Sequence, residues 1–185
     1  MKIPPLPAVN LVFTYASCPL KERLVTKLCS GYARWLGGFR TLEVRDGAGR
    51  GGFELEPLGG GRVVLASKQL LSPVAFNKYG LNLDAFEITA LGALDAAAAA
   101  GRVLLMDELG PMAMKSGKFS AKVIELLFSA NPCLVFHRRG AAVFEDAFKK
   151  LENTVVMELS EGGWAAAVSA AENWLDALIA GMETR

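Results

Sequence analysis

The segment that most restricts how this chain can fold is Val103-Leu104-Leu105-Met106-Asp107-Glu108-Leu109-Gly110, an apolar run that ends in two adjacent carboxylates. With no polar alternation, such a run reads as a strand buried on both faces of a parallel sheet. Ligands of open α/β sheets collect beyond the carboxyl ends of their strands, which is where Asp107 and Glu108 fall. Two acids at that point either belong to a ligand site or close the strand and cap the segment that follows. The neighbouring elements have to separate the two readings.

Upstream, Val9 to Phe13 reads as a short buried strand, and from Leu20 the positions Leu24, Leu28, Tyr32 and Trp35 recur at helical spacing. After Gly37-Gly38 the period changes to two. Phe39 to Arg45, Gly52 to Leu58 and Val63 to Ala66 are strand-like and are separated by Asp46-Gly47 and Gly59-Gly60-Gly61 turn signals. That is an antiparallel meander, inserted over 39–66 where a plain βαβ unit would return to its sheet. A loop through Asn77 to Asn82 leads into an alanine-rich helix from Asp84 to Ala99. Beyond the acidic strand the alternation is regular: helix Gly117 to Ala130, strand Cys133 to Phe136, helix Ala141 to Leu151, strand Thr154 to Met157, helix Trp164 to Ile179. Strands and helices in that order imply a mostly parallel sheet with helices on both faces, joined by right-handed crossovers.

At 185 residues and 52% hydrophobic, the chain has ample material for one core, and a single domain over 1–185 is expected. A net charge of +1 without long runs of one sign argues against nucleic acid or an anionic membrane as a partner. Cys18, Cys29 and Cys133 are odd in number and lack C-x-x-C spacing, so neither a disulfide framework nor a structural zinc site is expected, and a reducing cytoplasm fits. The opening Met1-Lys2-Ile3-Pro4-Pro5-Leu6-Pro7 is broken by prolines before a signal-peptide core develops. The alanine-rich helix carries Asp84, Glu87 and Asp95 and the last helix Glu172 and Asp176, so neither reads as a bilayer span.

Several separated strings share one likeness. Gly38-Phe39-Arg40-Thr41-Leu42-Glu43-Val44-Arg45, Arg50-Gly51-Gly52-Phe53, Lys78-Tyr79-Gly80 with Asn82, and Asp107-Glu108-Leu109-Gly110-Pro111-Met112 with Ser116 and Phe119 resemble the small P-loop nucleoside-triphosphatases of the cancer-related type. The likeness runs from about Leu11 to Val156, in the same order and with similar spacing. It implies a three-layer α/β P-loop NTPase-like fold, with the meander as its insertion, that hydrolyses ATP, GTP or another nucleoside triphosphate with Mg²⁺. By that resemblance Asp107 would hold the metal, Glu108 would prepare the attacking water, and Lys21 would neutralise the phosphates. Ser17, Cys18, Lys21 and Glu22 would lie along the nucleotide, with Arg45 reaching it from the meander.

The departure from the family falls on the phosphate loop. Where the pattern is G-x-x-x-x-G-K-[ST], this chain has Tyr15-Ala16-Ser17-Cys18-Pro19-Leu20-Lys21-Glu22, and the lysine alone is kept. Both glycines, which permit the backbone to close on phosphate, are replaced. Pro19 lacks an N–H donor, and Glu22 puts an anion where the metal-binding hydroxyl belongs. An ordinary strand-to-helix connection explains the same residues: Ser17 or Cys18 caps, Pro19 starts the helix, and Glu22 suits its positive end. The expectation is weak or absent hydrolysis, with Mg²⁺ relevant only if nucleotide binds. The alternatives are a non-catalytic interaction or regulatory module with a protein partner, or another small anion or metal at the same sheet edge. Two smaller readings stay open: His137-Arg138-Arg139 as a cationic cluster at that edge or a solvated loop, and Arg50 leaning over the site or facing water.

Overall fold

The computed structural model describes residues 9–47 and 49–183. The proline-broken opening on which the leader-peptide expectation rested lies outside them. Nine strands form one sheet in the order β5-β6-β4-β3-β2-β7-β8-β1-β9: β1 (Asn10–Tyr15), β2 (Leu36–Asp46), β3 (Gly49–Pro57), β4 (Val63–Ser67), β5 (Ala75–Phe76), β6 (Tyr79–Leu81), β7 (Val103–Leu109), β8 (Cys133–Arg138) and β9 (Thr154–Leu159). From β2 through β7, β8 and β1 to β9 every pairing is parallel; from β2 outward through β3, β4, β6 and β5 every pairing is antiparallel. The meander therefore continues the main sheet rather than forming a separate one.

Long strand β2 belongs to both halves. Its first residues, Leu36 to Phe39, pair with β7, and Phe39 onward pairs with β3. Gly38 sits in that first stretch with φ +101°, and a Cβ there would come within 2.2 Å of the Leu105 carbonyl oxygen. Only glycine tolerates both the conformation and the approach.

Helices α2 (Leu83–Ala99), α3 (Gly117–Leu127) and α4 (Ala142–Lys150) cover one face of the sheet, and α1 (Cys18–Gly31) and α5 (Trp164–Glu183) cover the other. Asn82 caps α2 by accepting from Ala85 N, and Ser116 caps α3 by accepting from Phe119 N, so each helix starts where a side-chain oxygen satisfies a free amide. Side chains of β1 alternate between the two layers, Val12 toward α2–α4 and Leu11, Phe13 and Tyr15 toward α1 and α5. That double burial is why the strand is apolar without interruption. The helices and the parallel strands fall where the periodicity placed them. The hairpin β5–β6 lies in the stretch expected to be a loop, its strands being too short to show a period. No helix among the described residues is long and apolar enough to cross a membrane.

Candidate functional site

The carboxyl ends of β1, β7 and β8 meet at one edge of the sheet, where register sets Tyr15 beside Arg138 and Asp107 beside Phe136. Between β1 and α1 only Ala16 and Ser17 lie outside regular structure. Ser17 is the N-cap, with extended backbone (φ −95°, ψ 110°) and no side-chain capping bond, and Pro19 occupies the first turn. The Lys21 amide donates to Ser17 O at 3.1 Å and is thereby committed to the helix. Leu20 is buried against α5 and the sheet.

Lys21 points into the protein. Its side chain is 2% exposed, and its ammonium lies 2.8 Å from Asp107 Oδ1 and 3.0 Å from Oδ2, with Asp107 itself 1% exposed. Lys21 Nζ also donates to Thr41 O at 3.2 Å, and Thr41 N lies 3.4 Å from Asp107 Oδ2, so β2 closes the third side. Burial pushes the Asp107 carboxyl up to about 6, and the Lys21 charge pulls it only part of the way back. For Lys21, burial works downward, but the charge and hydrogen bond of Asp107 outweigh it and hold the ammonium above its ordinary value. Glu22 is half-buried and adds to the field that keeps Lys21 protonated.

The neighbouring acid has a different partner. The Tyr15 hydroxyl donates to Glu108 Oε2 from a side chain that is 1% exposed. Burial first, and then the Glu108 charge, raise the Tyr15 phenol far beyond its ordinary value, so it stays a donor at any working pH. Tyr15 thus carries a ring lying inside the core and tied to Glu108. Nothing in residue spacing announced this contact, since Tyr15 and Glu108 are 93 residues apart.

The remaining candidates divide. Cys18 is half-buried and accepts from Arg138 Nη1 at 3.5 Å. Arg45 is 71% exposed and sits 3.6 Å from Glu43. Arg50 is the meander arginine that lines a cleft beside Glu108, bonded to Glu43 at 2.6 Å. The stretch His137-Arg138-Arg139, left open between a cationic cluster and a solvated loop, has three different sets of partners, Arg138 turning to Cys18. His137 is buried, with Nδ1 2.9 Å from Leu109 O and Nε2 3.2 Å from Glu145 Oε1, while Arg139 pairs with Glu158 at 2.7 Å on the surface.

Divalent metal asks for several oxygen ligands, with room for water between them. Here Asp107 is sealed by an ammonium at contact distance, and no group of three or more His, Cys, Asp or Glu among the described residues is arranged to hold a metal. The residues present do not fit Mg²⁺ in this arrangement.

A parallel sheet between two helical layers, with a lysine in the first turn of the first helix facing an aspartate at the end of another strand, defines the P-loop class of α/β folds. A family model described as NTPase matches residues 20–169, most of the chain. The nucleoside-triphosphatase THEP1 of Thermotoga maritima is 31% identical over 141 residues, covering 76% of this chain and 80% of the relative. The protein of the same name from Thermococcus kodakarensis is 34% identical over 139 residues, covering 71% and 75%. The crystal structure of THEP1 from Aquifex aeolicus superposes with a TM-score of 0.76 over 88% of this chain and 96% of that one, at 25% identity. The solution structure of a human cancer-related nucleoside triphosphatase, 23% identical, shares the fold with a TM-score of 0.68. The chain belongs to the NTPase family that these nucleoside-triphosphatases represent.

Proposed function

We propose that this NTPase-family protein binds ATP or GTP weakly or not at all, turns over little or none of it, and serves as a non-catalytic interaction or regulatory module on the inherited fold. The observation that carries the reading is the Lys21–Asp107 pair, closed at 2.8 Å inside the protein. A phosphate can engage Lys21 only after that pair opens, and breaking a buried ion pair costs about 3–5 kcal/mol. At 1.4 kcal/mol per decade, an Asp107 left buried without a partner would weaken affinity by roughly two to four powers of ten. Each backbone donor that the two-residue turn no longer aims at a charged oxygen removes about 1.5–3 kcal/mol more. The relatives' family role would need Lys21 on the phosphates, Ser17, Cys18, Glu22 and Arg45 along the nucleotide, Asp107 on Mg²⁺ and Glu108 behind the water. The positions of Lys21, Asp107 and Arg45 count against that assignment.

Calorimetric titration with ATP and with GTP, each with and without Mg²⁺, tests the proposal alongside an assay of phosphate release. The expected result is no saturable heat at millimolar nucleotide. Micromolar, Mg²⁺-dependent binding that disappears in Lys21→Ala overturns it.

A further inference from the structure

Beside Glu108 lies a cleft of about 190 Å³ whose walls come from segments far apart in the chain. Phe53 of β3 and Tyr79 of β6 form its apolar side, edge to face with ring centroids 5.6 Å apart, and Phe76 of β5 stands half-buried next to them. Two arginines complete it. The Arg50 guanidinium carbon is 5.4 Å from the Phe53 ring centroid, held there by its bond to Glu43. Arg138 enters from the end of β8, and its hydrogen bond is to a thiol, Cys18 Sγ at 3.5 Å.

A thiol is a weak acceptor, and among the described residues most of the five Arg138 N–H donors have no stronger partner. No carboxylate among the described residues forms an ion pair with it. Glu43, by contrast, is shared by Arg45 and Arg50, which leaves the arginines of this region in excess over their acids. The glycine at 110 keeps the two kinds of charge side by side, since a Cβ there would fall 2.9 Å from Glu108 Oε1 and 3.5 Å from Arg138 Cβ. Glu108 has its other oxygen on Tyr15 and repels an anion, so an anionic group would settle on the arginine side and its apolar body on the rings.

Size then narrows the choice. Pockets for drug-sized ligands run to about 300–1,000 Å³, and this one is smaller, too small to enclose a nucleoside triphosphate but comparable to one substituted ring. We infer that the cleft is a binding site for a small aromatic anion, one ring bearing a carboxylate or a phosphate monoester, with Arg138 and Arg50 on the anionic group and Phe53, Phe76 and Tyr79 on the ring. Planar, bidentate recognition of such oxygens is what a guanidinium fork provides. The site does not use Lys21, although it shares Glu108 with the nucleotide site of the family reading.

Titration of the full chain with benzoate and with phenyl phosphate, in Mg²⁺-free buffer, followed by calorimetry and amide chemical shifts, tests it. At least one probe binds in the millimolar range or tighter, moving resonances of Phe53, Phe76, Tyr79 and Gly110. Inorganic phosphate and benzyl alcohol, each lacking half of the ligand, bind at least about tenfold more weakly. Arg138→Gln weakens the bound probe by about tenfold to a hundredfold, the loss expected for hydrogen bonds to a charged group. Phe76→Ala, at a half-buried site outside the main core, weakens it as well and serves where Arg138→Gln fails to fold. The inference is overturned if neither probe binds, if inorganic phosphate matches phenyl phosphate, or if affinity ignores both substitutions. Because ATP and GTP are titrated separately against Lys21→Ala, failure here leaves the reading of the nucleotide site standing, and the reverse also holds.

Discussion

Replacing Lys21 by methionine tests whether the buried lysine holds the structure together or waits for a phosphate. Methionine keeps the length and bulk of the side chain and deletes the charge, leaving Asp107, 1% exposed, with no counter-ion at 2.8 Å. A buried pair stripped of one partner loses about 3–5 kcal/mol. In a domain of this size each kcal/mol shifts Tm by roughly 2–4 °C, so the melting temperature falls by about 6 to 20 °C. The sign of the pH dependence is fixed by the same geometry. Even with Lys21 present the Asp107 carboxyl is pushed to about 6 from an ordinary 3.8, and without it the two largest pulls downward are gone. A carboxyl whose folded pKa lies above its unfolded one loses stability as pH rises from the unfolded value through the folded one. The Lys21→Met deficit is therefore small near about pH 5, where Asp107 takes up a proton, and full near about pH 8. Lys21→Met/Asp107→Leu removes both charges and recovers most of the loss, because apolar replacements of buried pairs are often neutral or stabilising. Urea unfolding of the wild type, both single variants and the double variant at the two pH values measures the cycle. A cost below about 0.5 kcal/mol for Lys21→Met at the higher pH, the size of an ordinary surface substitution, would refute the argument.

Lys21 also shapes the alkaline limb: its folded pKa is raised, so its contribution is complete below about pH 10 and is withdrawn as pH climbs through the folded value. Unfolding curves taken toward pH 11 should show the wild type losing more stability than Lys21→Met/Asp107→Leu, and equal losses would count against it. Tyr15→Phe removes the hydroxyl that donates to Glu108 and is expected to cost about 1.5–3 kcal/mol in denaturant titrations without any gain in phosphate release. A rise in hydrolysis would mean that the hydroxyl alone was restraining Glu108. Iodoacetamide should modify half-buried Cys18 before Cys29 and Cys133, whose thiols burial pushes up to about 11 and about 12, as mass spectrometry of timed aliquots will show. Labelling of Cys133 at the rate of Cys18 would contradict its burial.

The parts of this molecule that could be read from sequence are those whose signal is periodic. β7 announces itself through Val103 to Met106, buried on both faces, and α1 through Leu20, Leu24 and Leu28 on one side. Where a signal depends on partners, it fails. β1 was expected to stop at Phe13, but Thr14 and Tyr15 go on pairing with His137 and Arg138 of β8 and with Glu158 and Leu159 of β9. The same pairing carries β8 to Arg138 and draws His137 into the core, so a loop histidine became a buried one. For Arg50, left open between the site and the solvent, the structure gives a place in the lining of the cleft beside Glu108. The β2–β3 register steps from Val44 opposite Gly52 to Arg45 opposite Arg50, so Gly51 is the extra residue of a bulge on β3, which a period-two reading of that strand does not show.

Charge explains why the motif residues at the site are a poor guide to what it does. A lysine buried at the start of α1 cannot stand without a carboxylate, and a carboxylate buried at the end of β7 cannot stand without a cation, since neither charge tolerates the interior alone. Once the turn closes over them, Lys21 and Asp107 need each other whether or not a phosphate ever arrives. Their presence follows from folding as readily as from catalysis. The informative positions are Tyr15, Leu20 and Glu22, where a phosphate loop would have glycine, glycine and a hydroxyl. Tyr15 and Leu20 are core residues here, and burying a side chain of this kind stabilises the fold by roughly 1.5–3 kcal/mol. Opening the turn to any ligand would forfeit that burial together with the Lys21–Asp107 pair, so the stability of the fold opposes such an opening at Tyr15, Leu20 and Lys21.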